Sequence, residues 1–299
     1  MGPALLFCPA DRPERFAKAA ERADAVILDL EDAVAPDAKE VARRNLAETP
    51  LDPARTIVRI NAGPKAGEPS APEPSSDFDL DLAAISMTPY RTVMLAKAED
   101  PGQLRRLAAS DPGLNVIALC ETALGIVNAV AIAAEPNVVA LMWGAEDLVA
   151  SLGGTSSRMN DDELPRDGET AARAGQYRAV ALHARSSVLL AAGARGKAAI
   201  DAVYTAIPDL EGLALEAVDA AASGFAAKAC IHPNQVSPVR AAYAPTPQAV
   251  AAARDLIAAA EDAGTGVFQY EGRMIDGPIL RHAEAVLRRA GENPSTYRI

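Results

Sequence analysis

Charged and polar residues fall just after short apolar runs in this chain. Asp29-Leu30-Glu31-Asp32 closes the run from Ala25, and Arg59-Ile60-Asn61 closes the run from Thr56. Lys97 follows Thr92 to Ala96, and Glu121-Thr122 follows Asn115 to Cys120. Gly144-Ala145-Glu146-Asp147 follows Val138 to Trp143, and His232-Pro233 follows Ala227 to Ile231. Carboxylates after neighbouring runs five and six suit one hard cation. Mg²⁺ takes one or two carboxylates while water and substrate oxygens complete its octahedron. Each acidic residue taken alone also fits a solvated helix N-terminus, where negative charge is favoured. Arg59 lies inside a β-type run, where a charge is costly unless it faces a polar site. It is a candidate anion or oxyanion contact, or else the ion-pair partner of Glu31 or Asp32. Lys97 allows a similar role or a plain surface position. A further stripe, Arg12, Arg15, Lys18 and Arg22, steps by three, three and four residues along one predicted helix face. It is either a seat for a polyanionic ligand or a solvated face paired with Glu14 and Glu21.

Several of the runs that would position these groups are apolar throughout rather than alternating, as strands buried on both faces are. The runs are Ala4 to Cys8, Ala25 to Leu30, Thr56 to Ile60, Thr92 to Ala96, Asn115 to Cys120, Val138 to Trp143, Ala199 to Tyr204 and Ala227 to Ile231. Helical periodicity fills most of the gaps: Pro13 to Arg22, Asp37 to Ala47, Pro101 to Ala109, Leu124 to Ala134, Glu169 to Ala192, Leu210 to Ala222 and Ser237 to Tyr243. Eight βα units predict a (β/α)8 TIM barrel over residues 1–243, with functional groups at the C-terminal ends of its strands. A doubly wound open sheet is the alternative, but it would want a Gly-rich phosphate turn after an early strand. Gly63 to Asp79, rich in Pro, Gly, Ser and acidic residues, reads as a loop or insertion. Residues 244–299 form a C-terminal extension with helices at Gln248 to Ala263 and Ile279 to Ala290, separated by Gly264 to Gly277. This extension is too short for an independent core and is expected to dock on the barrel or on a neighbouring subunit.

The 299 residues carry 29 Lys plus Arg against 40 Asp plus Glu, for a formal net charge of -11, which argues against nucleic acid as the main partner. Cys8, Cys120 and Cys230 are far apart inside apolar runs and read as reduced, buried thiols. With three His in all, Cys-rich or His-cluster metal sites are not expected. No apolar stretch reaches the ~18 residues of a membrane span, and the N-terminal apolar start is soon interrupted by Asp11, Arg12 and Glu14. The expectation is a cytoplasmic protein without a membrane partner.

Seven segments in consistent order resemble the citrate lyase β-subunit-like family of the HpcH/HpaI aldolase/citrate lyase superfamily. They are Leu6-Phe7-Cys8-Pro9-Ala10 with Arg15-Phe16-Ala17-Lys18-Ala19, Asp29-Leu30-Glu31-Asp32-Ala33-Val34, Val58-Arg59-Ile60-Asn61, Glu121-Thr122-Ala123-Leu124-Gly125-Ile126, Gly144-Ala145-Glu146-Asp147-Leu148, Lys228-Ala229-Cys230-Ile231-His232-Pro233, and Gly272-Arg273-Met274-Ile275-Asp276-Gly277-Pro278. The resemblance implies an Mg²⁺-dependent carbon–carbon lyase acting on 3-hydroxyacyl thioesters of coenzyme A, such as malyl-CoA or citramalyl-CoA. Related readings are a citrate lyase β-subunit working on an acyl-carrier-protein thioester and a CoA-free pyruvate-type aldolase. It assigns Glu121 and Asp147 to the metal. It assigns Arg59 to the substrate and its enolate, Asp276 to acid/base work, and Glu31 and Asp32 to the catalytic group. Phe7, Arg15 and Lys18 would hold the thioester carrier. It also implies a homo-oligomer, a trimer or a multiple of one, whose C-terminal segment closes over a neighbour's site.

Overall fold

A strand in an α/β barrel is covered by the barrel interior on one face and by helices on the other, so it has no solvent face to keep polar. The eight apolar runs become β1 (Ala4–Pro9), β2 (Ala25–Asp29), β3 (Thr56–Ile60), β4 (Thr92–Leu95), β5 (Asn115–Cys120), β6 (Val138–Trp143), β7 (Ala198–Asp201) and β8 (Ala227–Cys230). Each pairs in parallel with the next. The pairing Ala4↔Lys228 joins β8 to β1, so the sheet closes into a (β/α)8 barrel. The computed structural model describes residues 1–63, 76–160 and 175–292. Positions 64–75 of the loop expected over Gly63 to Asp79, and positions 169–174 of the helix expected over Glu169 to Ala192, lie outside the described residues.

The helices are α1 (Phe16–Arg22), α2 (Lys39–Glu48), α3 (Asp77–Ser86), α4 (Pro101–Ser110), α5 (Ala123–Val127), α6 (Ala129–Ala133), α7 (Ala145–Ser151), α8 (Ala179–Ala194), α9 (Leu210–Ser223) and α10 (Val236–Tyr243). Four of these depart from the sequence expectation. Asp77 to Asp79 belong to α3 rather than to the loop, because Ser76 caps that helix by accepting from the Asp79 N–H. The helix expected over Leu124 to Ala134 is broken at Asn128, which ends α5 and starts α6 while its Nδ2 donates to the Glu99 carbonyl at 2.7 Å. α7 spans only seven residues, too few for a periodicity to show. Among the described residues, no helix is long and apolar enough to cross a membrane.

Side chains alternate across each strand. The inward positions Leu5, Ile27, Ile57, Met94, Leu119, Met142, Ile200 and Ala229 share one buried apolar cluster that fills the barrel. The outward positions pack under the helices, and three of them are polar. Lys228 on β8 is fully buried, and its Nζ donates to Asp201 Oδ2 (3.0 Å), the Ala202 carbonyl (2.8 Å) and Glu216 Oε1 (2.8 Å). Arg185 of α8 and Trp143 Nε1 complete the shell of Asp201. Burial opposes the charge on Asp201, but Lys228 and Arg185 hold its pKa below the usual carboxylate value. Removing one partner from a buried ion cluster leaves the others uncompensated. Lys228→Ala is therefore expected to cost about 3–5 kcal/mol in denaturant unfolding, while the protein that remains folded keeps its turnover. A loss under ~1 kcal/mol would mean that water replaces the ammonium.

The chain divides into two compact units, Met1–Val239 and Arg240–Ile299. In the second, α11 (Pro247–Ala263) and α12 (Gly277–Arg289) are joined by a hairpin of β9 (Phe268–Tyr270) and β10 (Arg273–Ile275). Glu271 (φ 46°) and Gly272 (φ 77°) form its two-residue turn, where consecutive positive φ angles match the twist of a hairpin. This unit does have an apolar core, contrary to expectation. Ala253, Ile257, Ala260, Ile275, Leu280, Ala283 and Leu287 are buried together, with Phe268 and Tyr270 packed against them. The unexpected hairpin supplies aromatic cover that these two helices, which carry no Phe, Tyr or Trp, lack.

Candidate active site

Two residues beyond the apolar interior, at the C-terminal ends of the strands, three of four inward positions turn charged. Leu5, Ile27, Ile57 and Leu119 are followed by Phe7, Asp29, Arg59 and Glu121. Register places Asp29 beside Arg59 on neighbouring strands. The fully buried Asp29 takes the Arg59 Nε–H (2.6 Å) and Nη2–H (2.5 Å) in a fork, and it also accepts the backbone N–H groups of Glu31 and Ala33. Arg59 Nη1 reaches Glu31 Oε2 at 3.0 Å, and the guanidinium lies over the Phe7 ring at 4.9 Å. Burial works against the Arg59 charge, yet Asp29 raises its pKa further, so it is a permanent cation. Sequence reading offered Glu31 or Asp32 as its partner. The structure gives it Asp29 and Glu31 and leaves Asp32 to Lys97.

Lys97 is a member of the site rather than a plain surface residue. It follows β4 in a left-handed conformation, φ 49°, which costs about 1–3 kcal/mol in a residue other than glycine. That turn bends it back over the barrel. Its backbone N–H donates to Glu121 Oε1 (3.0 Å), and its Nζ bonds Glu31, approaches Asp32 Oδ2 (3.2 Å) and lies 3.8 Å from Asp147 Oδ1. Burial raises the Glu31 pKa against the pull of Arg59 and Lys97. The more open Asp32 is lowered, because the Lys97 hydrogen bond and charge outweigh its desolvation.

Glu121 is almost fully buried at the end of β5, and Asp147 stands in the first turn of α7, 40% exposed at its side chain. Gly144 makes room for the pair: a Cβ there would fall 2.7 Å from Glu121 Cβ and 2.9 Å from its Oε2. Burial, then the charges of Asp147 and Glu31, push the Glu121 carboxyl up to about 8. Among the described residues no three His, Cys, Asp or Glu converge as a complete metal cage. Two carboxylates, one of them desolvated and repelled by its neighbours, instead make the partial oxygen set that Mg²⁺ accepts when water and substrate supply the rest. The chain's own stand-in cation, the Lys97 ammonium, already lies beside Asp147. Without a metal, the raised pKa has a consequence for stability. Unfolded, Glu121 titrates near its ordinary 4.5; folded, near 8. The unfolded state therefore loses the proton first as pH rises, and stability falls across that window. Thermal melts of metal-free protein should show this decline, and Glu121→Gln should flatten it; an equally steep decline in the variant would contradict the shift.

Asn61 locks the end of β3. It donates to the Leu30 carbonyl (3.0 Å) and, by backbone and side chain, to the fully buried Asp81, which Arg43 holds from the other side. A cavity of about 570 Å³ lies against β1 and α1, lined by Phe7, Cys8, Arg15, Lys18, Arg22 and His232 among others. Phe7, Arg15 and Lys18 thus share one cavity wall. It leaves Arg12 out: Pro13 makes the first turn a tighter 3₁₀ turn, and Arg12 pairs with Asp11 at 3.6 Å. Burial drives the Cys8 thiol up to about 11, so it is inert at neutral pH. Asp276, in the second unit, sits at the start of α12 without making a capping hydrogen bond.

The HpcH/HpaI aldolase/citrate lyase family model matches residues 4–233, and a model for C–C bond lyases of the TIM-barrel fold matches residues 180–292. A citrate lyase subunit beta-like protein of Mycobacterium tuberculosis is 53% identical over 294 residues, covering 98% of this chain and 97% of the relative. A mitochondrial citramalyl-CoA lyase of Mus musculus is 31% identical over 311 residues, covering 95% and 84%. A crystal structure of CitE from Mycobacterium tuberculosis, in complex with magnesium, acetoacetate and coenzyme A, superposes with a TM-score of 0.83 at 53% identity, covering 97% and 98%.

Proposed function

The chain belongs to the HpcH/HpaI aldolase/citrate lyase family and is a carbon–carbon lyase, and from that premise we propose that it cleaves or condenses 3-hydroxyacyl-CoA thioesters of the malyl-CoA or citramalyl-CoA type with Mg²⁺. The observation that carries this reading is the pairing of Glu121 and Asp147 with a buried, fork-held Arg59 at one barrel mouth. Magnesium and coenzyme A in the similar CitE structure support the choice of metal and carrier.

Breaking a carbon–carbon bond beside a thioester leaves an electron pair that must be held as an enolate. Held by Glu121 and Asp147, Mg²⁺ would supply Lewis acidity toward the hydroxyl and carboxylate of the hydroxyacid portion. Asp276 is the group assigned to the hydroxyl proton. As that proton leaves, the O–H electron pair becomes the second bond of a carbonyl, the C–C bond breaks, and its electrons form the enolate double bond while the thioester carbonyl pair moves onto the thioester oxygen. Arg59 opposes the negative charge that grows there. Asp29 and Phe7 already fix its guanidinium, so it need not reorganise. No lysine need bond to the substrate. Asp276 reaches the reaction by closure of the C-terminal unit over a neighbouring subunit.

The cavity beside Phe7 carries Arg15 and Lys18, whose charges suit the phosphates of the carrier. Reversing both (Arg15→Glu with Lys18→Glu) should raise the KM for a CoA thioester about tenfold or more, a loss of about 1.4 kcal/mol, with kcat nearly unchanged. A short thioester without phosphates should not feel the change. An equal effect on both substrates would remove these residues from carrier binding. The proposal itself is tested with a panel of malyl-CoA, citramalyl-CoA, 3-hydroxy-3-methylglutaryl-CoA and acetyl-CoA plus glyoxylate, with and without Mg²⁺. Turnover of a CoA thioester by the isolated chain supports it. Activity only on an acyl-carrier-protein thioester, or only on 4-hydroxy-2-keto acids, would overturn it.

A further inference from the structure

Among the described residues, Lys97 and Glu271 are the non-glycine positions with a positive φ. Glu271 serves the turn between β9 and β10, but Lys97 (φ 49°) closes no hairpin. Its neighbours show what the conformation does. In a parallel ladder, N–H groups two residues apart bond the same neighbouring strand. Here the Ala96 N–H reaches the Ile60 carbonyl at the end of β3 (3.2 Å), whereas the Ala98 N–H reaches the Leu119 carbonyl of β5 (2.9 Å). The switch of sides falls on Lys97, and it aims the Lys97 N–H at Glu121 Oε1, 3.0 Å away. The other oxygen of that carboxylate is turned toward Gly144, where a Cβ would fall 2.9 Å from Oε2. Gly144 leads directly into α7, which carries Asp147. One oxygen of Glu121 is thus tied to the backbone, and the other is left on the side of its partner carboxylate. The side chain of Lys97 anchors the same residue from its far end, since Nζ bonds Glu31 and lies 3.2 Å from Asp32 Oδ2. A left-handed lysine is costly and persists where contacts such as these impose it.

We propose that Lys97 is a positioning residue for the metal ligand Glu121: its left-handed backbone directs an N–H onto Oε1 and so presents Oε2 to the cation beside Asp147. The inference rests on the assignment of the metal to Glu121 and Asp147. It gives the lysine no contact with the reacting bond.

Mn²⁺ affinity, measured by electron paramagnetic resonance on the full chain without substrate, tests this through two variants that both lack the ammonium. Lys97→Gly accepts a positive φ freely and keeps the N–H. Lys97→Pro allows neither a positive φ nor an N–H. Lys97→Pro should bind Mn²⁺ about 10–100-fold more weakly than Lys97→Gly, the usual effect of losing a group that orients a metal ligand. In a Glu121→Gln background the two should bind alike, which a general loss of structure would not produce. Thermal melts report that each variant is folded. Equal affinities in folded Lys97→Gly and Lys97→Pro, or a difference that survives in Glu121→Gln, would overturn the role of Lys97 and leave the metal assignment standing. If Glu121→Gln alone bound Mn²⁺ as tightly as wild type, the metal assignment would fall and the inference with it. If Lys97→Pro fails to fold, Lys97→Val, a β-branched residue for which a positive φ is a strong outlier, provides the comparison on the same terms.

Discussion

Glu121→Gln is expected to lower Mg²⁺-dependent turnover by about 10³-fold or more without unfolding the protein. Metal Lewis acidity is worth several kcal/mol of transition-state stabilisation, and each ~1.4 kcal/mol is tenfold in rate. Glutamine keeps the shape of the side chain and can still accept the Lys97 N–H, but it is a much weaker partner for a dication. The variant should be no less stable than wild type. In the metal-free protein the carboxylate is held near pKa 8 by burial and by Asp147 and Glu31, so a neutral amide relieves repulsion instead of creating it. Loss of activity with retained or raised thermal stability separates a metal ligand from a structural residue. Asp147→Asn should act in the same direction. Full activity in either variant would refute the metal assignment.

Asp276→Asn is expected to reduce kcat by about 10²–10⁴-fold, the usual worth of a positioned acid or base, while KM for the thioester changes little. Asparagine preserves the entry to α12, since the Asp276 side chain makes no capping hydrogen bond there. Because the residue belongs to the compact unit Arg240–Ile299, and Glu121 to Met1–Val239, the same variant also tests how sites are assembled. Glu121→Gln and Asp276→Asn chains, each inactive alone, should regain activity when unfolded and refolded together, because some sites would then combine an intact Glu121 from one chain with an intact Asp276 from another. No recovery in a verified mixed oligomer would place both residues of a site in one chain. An unchanged rate in Asp276→Asn would remove it from the mechanism.

The barrel was legible because its strands are double-sided. Val58 and Ile57 both need burial, so the run is continuous, and the expected bounds of β3, β5 and β6 agree with those observed. α3 hid because Phe78, Leu80 and Leu82 alternate like a strand within Asp77–Ser86. The carboxylates and Arg59 were legible by type, but their pairing was not. Three acidic residues within Asp29-Leu30-Glu31-Asp32 compete for Arg59, and strand parity excludes one of them: Ile27 and Ile57 both face inward, so Asp29 and Arg59 meet in register, Glu31 shares their parity and Asp32 does not. That signal was present in the sequence and could have been used. The role of Lys97 could not have been found in this way, because it depends on a single left-handed residue that nothing in Ala96-Lys97-Ala98 announces.

The central claim, that this barrel breaks a carbon–carbon bond beside a CoA thioester with a metal at Glu121 and Asp147, is tested most directly by identifying the products formed from citramalyl-CoA and malyl-CoA with Mg²⁺ and with excess EDTA. The account predicts a keto acid or aldehyde and a shortened acyl-CoA in equal amounts, with Mg²⁺ only. Free coenzyme A with the intact hydroxyacid, the outcome of thioester hydrolysis, or undiminished cleavage in EDTA, would contradict it.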